Sequence, residues 1–586
     1  MALKLAPTVT QEIPEYLKTY VVTQDPTLYT PMDHASWRYI LKISHDFFAQ
    51  YAHQKYLDGL KETGISLERI PRIEEMDHCL RNFGWRAVAV SGFIPPAVFM
   101  EFLSLGILPI ACEMRQIEHI AYTPAPDIVH EAAGHAPIIS DPEYADYLRS
   151  YGELARRAIF SSKDMAVYEA IRDLSVVKED PKSNVSEIEA SQARLDQALR
   201  AVDYVSEATQ LSRMGWWTFE YGLVGKLENP KLYGAGLLSS VGESYQCLGA
   251  SVIKYPFSLR CVDMSYDITK PQPQLFVAPD FHTLKLALRE LENTMAFKRG
   301  GIEGLERAKQ AKTTTTTVLD SGIQMSGCLS EIRLDELGRP AFLKYTGPVQ
   351  LSHDDQEIEN QGVQFHAEGF STPVGILRGF DKSPARLTDA EIKATPHFEF
   401  ESGIKLSGTV TGIKRTPESA LVISFQNCTI RWGSEILYQP DWGKFDLACG
   451  GEIISVFGGA ADRKKYLAQT GGFHQSPQKQ KTNLTAENRA LNELYEQVRN
   501  IRTQAQIPPA SPRARWTSDL ENISESLEKN FPSDWLLRFE LLELNELLQL
   551  HAGWAKPLRA SLEQISKQSP DKKELIQRGL RLLPKG

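Results

Sequence analysis

The sequence predicts a multidomain α+β chain: a mainly helical part over 1–320, an antiparallel β module over 325–465 and a helical region over 483–586. Three observations carry that division. The 586 residues exceed what one hydrophobic core organises, since domains usually run to about 100–200 residues. Short runs with period-two alternation crowd the stretch beyond about 325. Apolar residues at helical spacing fill the first part and return near the end.

In the first part, Glu101 to Gly106 continues one apolar helix and Pro142 to Phe160 forms another. Between them, Tyr122-Thr-Pro-Ala-Pro reads as a rigid extended approach, because a residue preceding proline is pushed out of the helical region. The apolar run Phe93 to Cys112 contains Glu101, Pro95, Pro96 and Pro109, so it reads as a buried loop and helix and not as a membrane span. From Asp164 to Leu211, Val185, Ile188, Leu195, Leu199 and Val202 recur at near-helical spacing after the turn KEDPKSN. This is an added surface helix, expected to decorate the exterior, with covering a site mouth as the other option.

KTTTTTVLDSG, around Lys312 to Gly322, marks a change of texture. GIKLSGTVTGIKR (Gly403 to Arg415), ALVISFQNCTIRWG (Ala420 to Gly433) and GEIISVFGG (Gly451 to Gly459) then alternate as strands of a small barrel or sandwich. After a polar linker near Ser476 to Thr482, Leu491, Leu494, Val498 and Ile501 form one helical stripe. Leu537, Leu541, Leu544 and Leu548 form a second after Pro532-Ser533. Both read as intramolecular core, with oligomerisation as the other use of such stripes.

Composition sets limits on function. Hydrophobic residues make up 42% and charged residues 24%, as in ordinary globular proteins. The net charge of -9, from 65 basic and 74 acidic residues, leaves no basic footprint for nucleic acid. Seven cysteines without CxxC pairs point to a reducing compartment and buried thiols, and the first residues lack the apolar run of a signal peptide. A cytoplasmic location without membrane attachment is expected.

The chemistry concentrates in PDIVHEAAGHAP, Pro126 to Pro137, where His130, Glu131 and His135 fall within six residues. The zinc-protease pattern sets its histidines at i and i+4, about 40° apart on an α-helix, whereas residues at i and i+5 stand about 140° apart. Both imidazoles reach one ion if the helix ends between them, and Gly134 and Pro137 are expected to end it. A pair of hydrogen-bonded histidines at a helix end is the alternative. Two histidines and one carboxylate form the facial triad of non-haem Fe(II) oxygenases. Glu220 in GWWTFEYGLVG is the best candidate for the acid, because a carboxylate inside an aromatic run needs a metal or partner.

Five ordered stretches, YTPMDHASWR, IPRIEEM, YTPAPDIVHEAAGHAPIISDPEYA, WWTFEYGL and YGAGLLSSVGE, resemble the tetrahydropterin-dependent aromatic amino acid hydroxylases. They cover about half the chain; nothing beyond about 325 is matched. The resemblance implies that 1–320 is a catalytic iron and pterin domain of the mainly helical hydroxylase type. It implies Fe(II) held by His130, His135 and Glu220, with tetrahydropterin supplying two electrons to O2 for hydroxylation of an aromatic amino acid, phenylalanine to tyrosine first, tyrosine or tryptophan as alternatives. Arg115, Thr123, Trp216 and Ser239 would bind substrate, and Gly92, Ile94, Phe99 and Glu131 the pterin.

Several of these residues also have plain readings. Arg115 could form a salt bridge with Glu113 or Glu118. Phe99 could be core. Asp127 could orient a histidine or cap a helix. The chain departs from the family at Pro95 and Pro96, where small hydroxyl residues are usual, at Pro109 in place of histidine, and at Gly215 in place of an aromatic. The segment joining His135 to Glu220 is longer than usual. With about 28 residues before Tyr29, the regulation of the animal enzymes is not expected, and the tail does not resemble their tetramerisation helix. Two other classes stay open: a zinc hydrolase with Glu131 as general base, and a binding protein with a degenerate enzyme domain whose function lies in 325–586.

Overall fold

The computed structural model describes residues 12–92, 94–121, 126–179, 183–268, 270–471, 485–505 and 513–584. Helices and strands are mixed. The first part is mainly helical, built on the long helix Pro31–Tyr51. That helix starts on a capping box, in which the Thr30 hydroxyl accepts from the Asp33 N–H and the Asp33 carboxylate accepts from the Thr30 N–H.

Two small sheets serve the site. Arg86–Val90 pairs in parallel with Ile107–Ala111, and the crossover between them is the helix Pro96–Ser104. The helix therefore ends at Ser104, the last two residues of the expected helix, Leu105 and Gly106, form the turn that closes it, and the strand begins at Ile107. Pro95 and Pro96 supply its N-cap and first residue, where a missing N–H costs nothing. A second, four-stranded sheet runs in the order Asn229–Leu232, Leu223–Lys226, Gln274–Ala278, Ile253–Pro256.

The strand-rich region starts earlier than the sequence suggests. Thr314–Leu319 is itself a buried strand, paired with Ile323–Leu334 and with Ile453–Gly458. A threonine run looks like a polar linker but is β-branched, and it suits a strand once both neighbours are in place. The sheet continues from Ile323–Leu334 to Pro340–His353. A second sheet is built on Ile404–Arg415 and Ala420–Trp432. Each has its own core, but the first core also takes in Ile159, Ala296, Leu305 and Ala308 from the helical part. The β region is thus packed onto the rest of the molecule.

The segment from 164 to 211 contains an antiparallel pair of helices, Ser162–Glu179 and Val185–Ala201, where the sequence suggested one. Near the end of the chain, Leu491, Leu494, Val498, Ile501, Leu537, Leu541 and Leu544 are all buried, in the same core as helix Pro31–Tyr51. The Arg38 guanidinium forms a two-pronged pair with Glu540, donating at 3.0 and 2.6 Å, and Tyr39 donates its hydroxyl to the Leu575 carbonyl. The linker expected near Ser476 to Thr482 and the approach at Tyr122 to Ala125 lie outside the described residues. Among the described residues no helix is long and apolar enough to cross a membrane.

Candidate active site

His130 and His135 lie on one continuous π-helix, Val129–His135. This corrects the expectation that the helix ends between them. In a π-helix the hydrogen bonds run from i to i+5, so residues five apart return to the same face. The two rings stand 5.0 Å apart, edge to face. Gly134 sits inside the helix instead of terminating it, and a Cβ there would fall 2.8 Å from the Ala235 carbonyl oxygen. Glycine is what lets this turn lie against helix Ala235–Ser239.

Glu220 ends a second π-helical turn, Trp216–Glu220. Its carboxylate offers one oxygen to each imidazole, with Oε2 at 3.3 Å from His130 Nε2 and Oε1 at 3.3 Å from His135 Nε2. Glu131 is the rival acid, since His130, Glu131 and His135 also bring ligand atoms within 4.8 Å of one another. Its Oε2 approaches only His135, at 3.9 Å. The bridging position favours Glu220.

The electrostatics separate the two acids. Burial pushes the Glu220 carboxyl up, but the neighbouring His135 and His130 outweigh it and hold the group well below the ordinary carboxylate range. Burial pushes Glu131 up to about 8, against the pull of His135 and with help from the Glu220 charge. Glu220 is thus the better anionic ligand.

The donor set fits a metal ion. His135 is 2% exposed and neither ring nitrogen has a hydrogen-bond partner, an expensive situation for a buried imidazole unless an ion takes the lone pair. His130 Nδ1 lies 3.1 Å from Ser239 Oγ, whose own proton goes to the Ala235 carbonyl. The Ser239 oxygen therefore accepts from His130 Nδ1–H, which leaves Nε2 free as a ligand.

Arg115 makes a buried pair with Asp127, not with Glu113 or Glu118. Nε and Nη2 donate to Asp127 at 2.8 and 2.7 Å, and Nη1 donates to the Ser239 carbonyl at 2.9 Å. Two of its five N–H groups remain. Glu113 accepts instead from the Ser91 hydroxyl and the Gly92 N–H. Of the two readings of Asp127, its contacts match the cap: its carboxylate meets the His130 backbone N–H and not the imidazole, whose Nδ1 is held by Ser239. Asp127 holds Arg115 and accepts from the His130 N–H, capping the turn that carries the first histidine. Arg115 lowers the Asp127 carboxyl below its usual range despite burial.

Gly92, Ile94, Phe99, Glu131, Arg115, Trp216, Ser239, His130 and Glu220 all border one cavity of about 1880 Å³. Phe99 is half-buried, its ring 6.5 Å from that of His135. Trp216 is stacked by Tyr221 and Tyr266, with centroids at 4.5 and 4.2 Å, so much of its ring surface is engaged within the protein. Trp217 is core, its Nε1–H donated to the Met264 carbonyl. Thr123 lies outside the described residues.

The hairpin corrects a second expectation. Met165, Tyr168, Ile171, Leu195 and Leu199 from its two helices line the same cavity, as do Gly459, Arg463 and Tyr466 from the β-rich part. Sequence reasoning missed Tyr266 and Arg463. Neither has a local signal: Tyr266 is one aromatic in a polar stretch, and Arg463 opens a run of three cations, Arg463-Lys464-Lys465, that reads as a solvated face.

Comparison with known proteins gives the family of the chain. The family of biopterin-dependent aromatic amino acid hydroxylases matches residues 12–162 and 189–337, just over half of the chain. The break between the two segments, 163–188, runs from the first helix of the hairpin into the start of the second. The phenylalanine-4-hydroxylase of Pseudomonas aeruginosa is 29% identical over 258 residues, covering 44% of this chain and 81% of that protein. That of Mesorhizobium japonicum is 30% identical over 274 residues, covering 46% and 83%. The crystal structure of Chromobacterium violaceum phenylalanine hydroxylase with bound oxidised Fe(III) is 25% identical, covers 49% of this chain and 92% of its own, and overlays with a TM-score of 0.37. The chain belongs to the biopterin-dependent aromatic amino acid hydroxylases and is an enzyme similar to the phenylalanine 4-monooxygenases.

Proposed function

We propose that the protein hydroxylates phenylalanine to tyrosine, using Fe(II), O2 and a tetrahydropterin. The observation that carries this reading is the meeting of two imidazole Nε2 atoms and one carboxylate at 3.3 Å separations beside an apolar cavity. Two histidines and one carboxylate leave half of an octahedron open. His130, His135 and Glu220 would hold the iron, which when bound supplies the redox chemistry that activates O2 with electrons from the pterin.

The chain's own work is placement. Arg115, fixed on one side by Asp127, has N–H groups left for an amino acid carboxylate, and such a charged two-pronged contact sets orientation as well as affinity. Phe99 offers a ring face to the flat pterin, and the loop at Gly92 and Ile94 offers backbone groups to its edge. Ser239 keeps the His130 tautomer. The apolar walls exclude water from the reacting atoms.

The test is a product assay on full-length protein given Fe(II), tetrahydropterin and O2, with phenylalanine, tyrosine and tryptophan offered in turn. Tyrosine from phenylalanine is the expected outcome. Metal-loaded protein that turns over none of the three would refute the reading, and hydrolysis without O2 would favour the zinc alternative. His135→Ala should lose bound iron.

A further inference from the structure

Helix Pro96–Ser104, with the sequence PAVFMEFLS, carries a single charged residue, and that residue is buried. Glu101 is 4% exposed. A carboxylate in such a place is costly unless its charge is paired and its oxygens are hydrogen-bonded. Its partners come from three distant parts of the chain. Tyr16 donates its hydroxyl at 2.9 Å, Arg156 stands 3.8 Å away, and Arg463 of the β-rich module donates Nη1 to the other oxygen.

Arg463 is the hub of a larger joint. Its Nη2 also donates to the carbonyls of Arg156 and Gly458. Next to it, the Gly458 N–H donates to the Arg157 carbonyl at 2.8 Å, and a Cβ on Gly458 would lie 2.0 Å from the Ala158 carbonyl oxygen. Only glycine permits that backbone-to-backbone approach. Thr313 adds a bond from its hydroxyl to the Phe160 carbonyl at 2.6 Å. The module is therefore seated on residues 156–160, and from that seat one guanidinium reaches the helix that bears Phe99.

Phe99 and Glu101 are two positions apart, so they stand about 200° from each other around the helix. The acid faces the module while the ring faces the His130–His135–Glu220 cleft. We infer that Arg463 is a positioning residue for the pterin: by holding Glu101 it sets how far Phe99 reaches into the cleft, which gives the β-rich module a part in the hydroxylase site. The inference rests on the reading of Phe99 as the pterin platform.

The experiment uses full-length protein and two probes, 7,8-dihydrobiopterin binding by calorimetry and steady-state kinetics with tetrahydropterin. Arg463→Gln should weaken dihydrobiopterin binding and raise the tetrahydropterin KM by roughly tenfold each, the scale of a coupling carried through one buried contact. The amino acid KM and the iron content should stay within about twofold, because their ligands lie on other elements, and Arg463→Lys should recover part of the loss. Unchanged pterin binding in Arg463→Gln overturns the inference. So does an equal loss of iron, pterin and amino acid affinity, which would make Arg463 a general structural tie. Should Arg463→Gln fail to fold, Arg463→Lys decides: weaker pterin binding with an unchanged amino acid KM supports the inference, and wild-type binding overturns it. If the wild-type protein itself binds no pterin, the proposed function falls and this inference falls with it.

Discussion

Asp127→Asn, Arg115→Met and the double variant separate what the buried pair does for the fold from what Arg115 does for a substrate. Asp127 accepts from four N–H groups: three belong to Arg115 and one to the His130 backbone. The two side chains are 1% and 4% exposed, so water cannot take over for either. Asparagine keeps one acceptor oxygen and turns an NH2 group toward donors, leaving the guanidinium charge unpaired. Removing one partner of such a pair costs about 3–5 kcal/mol, while replacing both by residues of similar size is close to neutral. Each single variant should lose about that much unfolding free energy, and the double variant should regain most of it. Activity should not follow. With no guanidinium present, the double variant should keep an amino acid KM raised about 10- to 150-fold, the worth of about 1.5–3 kcal/mol for a charged hydrogen bond. Urea unfolding and substrate-saturation curves measure the two effects separately. A double variant as unstable as the sum of the singles would refute the pairing argument, and a normal KM in Arg115→Met would refute the carboxylate role.

Gly134→Ala should weaken metal binding, because its Cβ would press on the Ala235 backbone between the two histidines. Overpacking of this kind costs about 1–3 kcal/mol, or about 5- to 150-fold in affinity if it falls on the site, and a Co(II) titration reads it directly. Glu540→Gln should destabilise the fold by about 3–5 kcal/mol, since Arg38 and Arg502 would then face each other in a place nearly closed to water; an unchanged denaturation midpoint would contradict this. His34 gives a pH dependence. Burial lowers its pKa from the ordinary 6.5 to about 4, assisted by Arg499, Arg38 and Arg69, and its Nδ1 accepts from the Ile70 N–H. The unfolded chain then binds the extra proton first, so this contribution to stability is complete above about pH 6.5 and is lost as the pH falls toward 4. His34→Gln should flatten the stability profile across that window.

The candidate ligand residues were readable because their chemistry is unusual for their surroundings. An acid amid WWTFEYGL and two histidines beside a glycine each demand an explanation, and they meet in space as their types suggest. The local backbone was less readable. At 3.6 residues per turn the spacing of His130 and His135 requires a helix end; the chain widens its helix instead, and no residue pattern announces that choice. Arg115 shows the same limit. The acids nearest in sequence, Glu113 and Glu118, were the expected partners, and the actual partner is Asp127, twelve positions away, which also reaches the His130 N–H.

By itself the sequence determined which side chains could hold a metal, where helical and strand periodicities lie, and the family. These are properties of residue type and short-range spacing, and they survive without knowledge of distant neighbours. Only the tertiary structure decided that Thr314–Leu319 is a strand, that the hairpin faces the cavity, and that Arg463 meets Glu101 from 362 positions away. Such pairings depend on which surfaces the folded chain buries against each other, and burial is a sum over long-range contacts that local spacing does not contain.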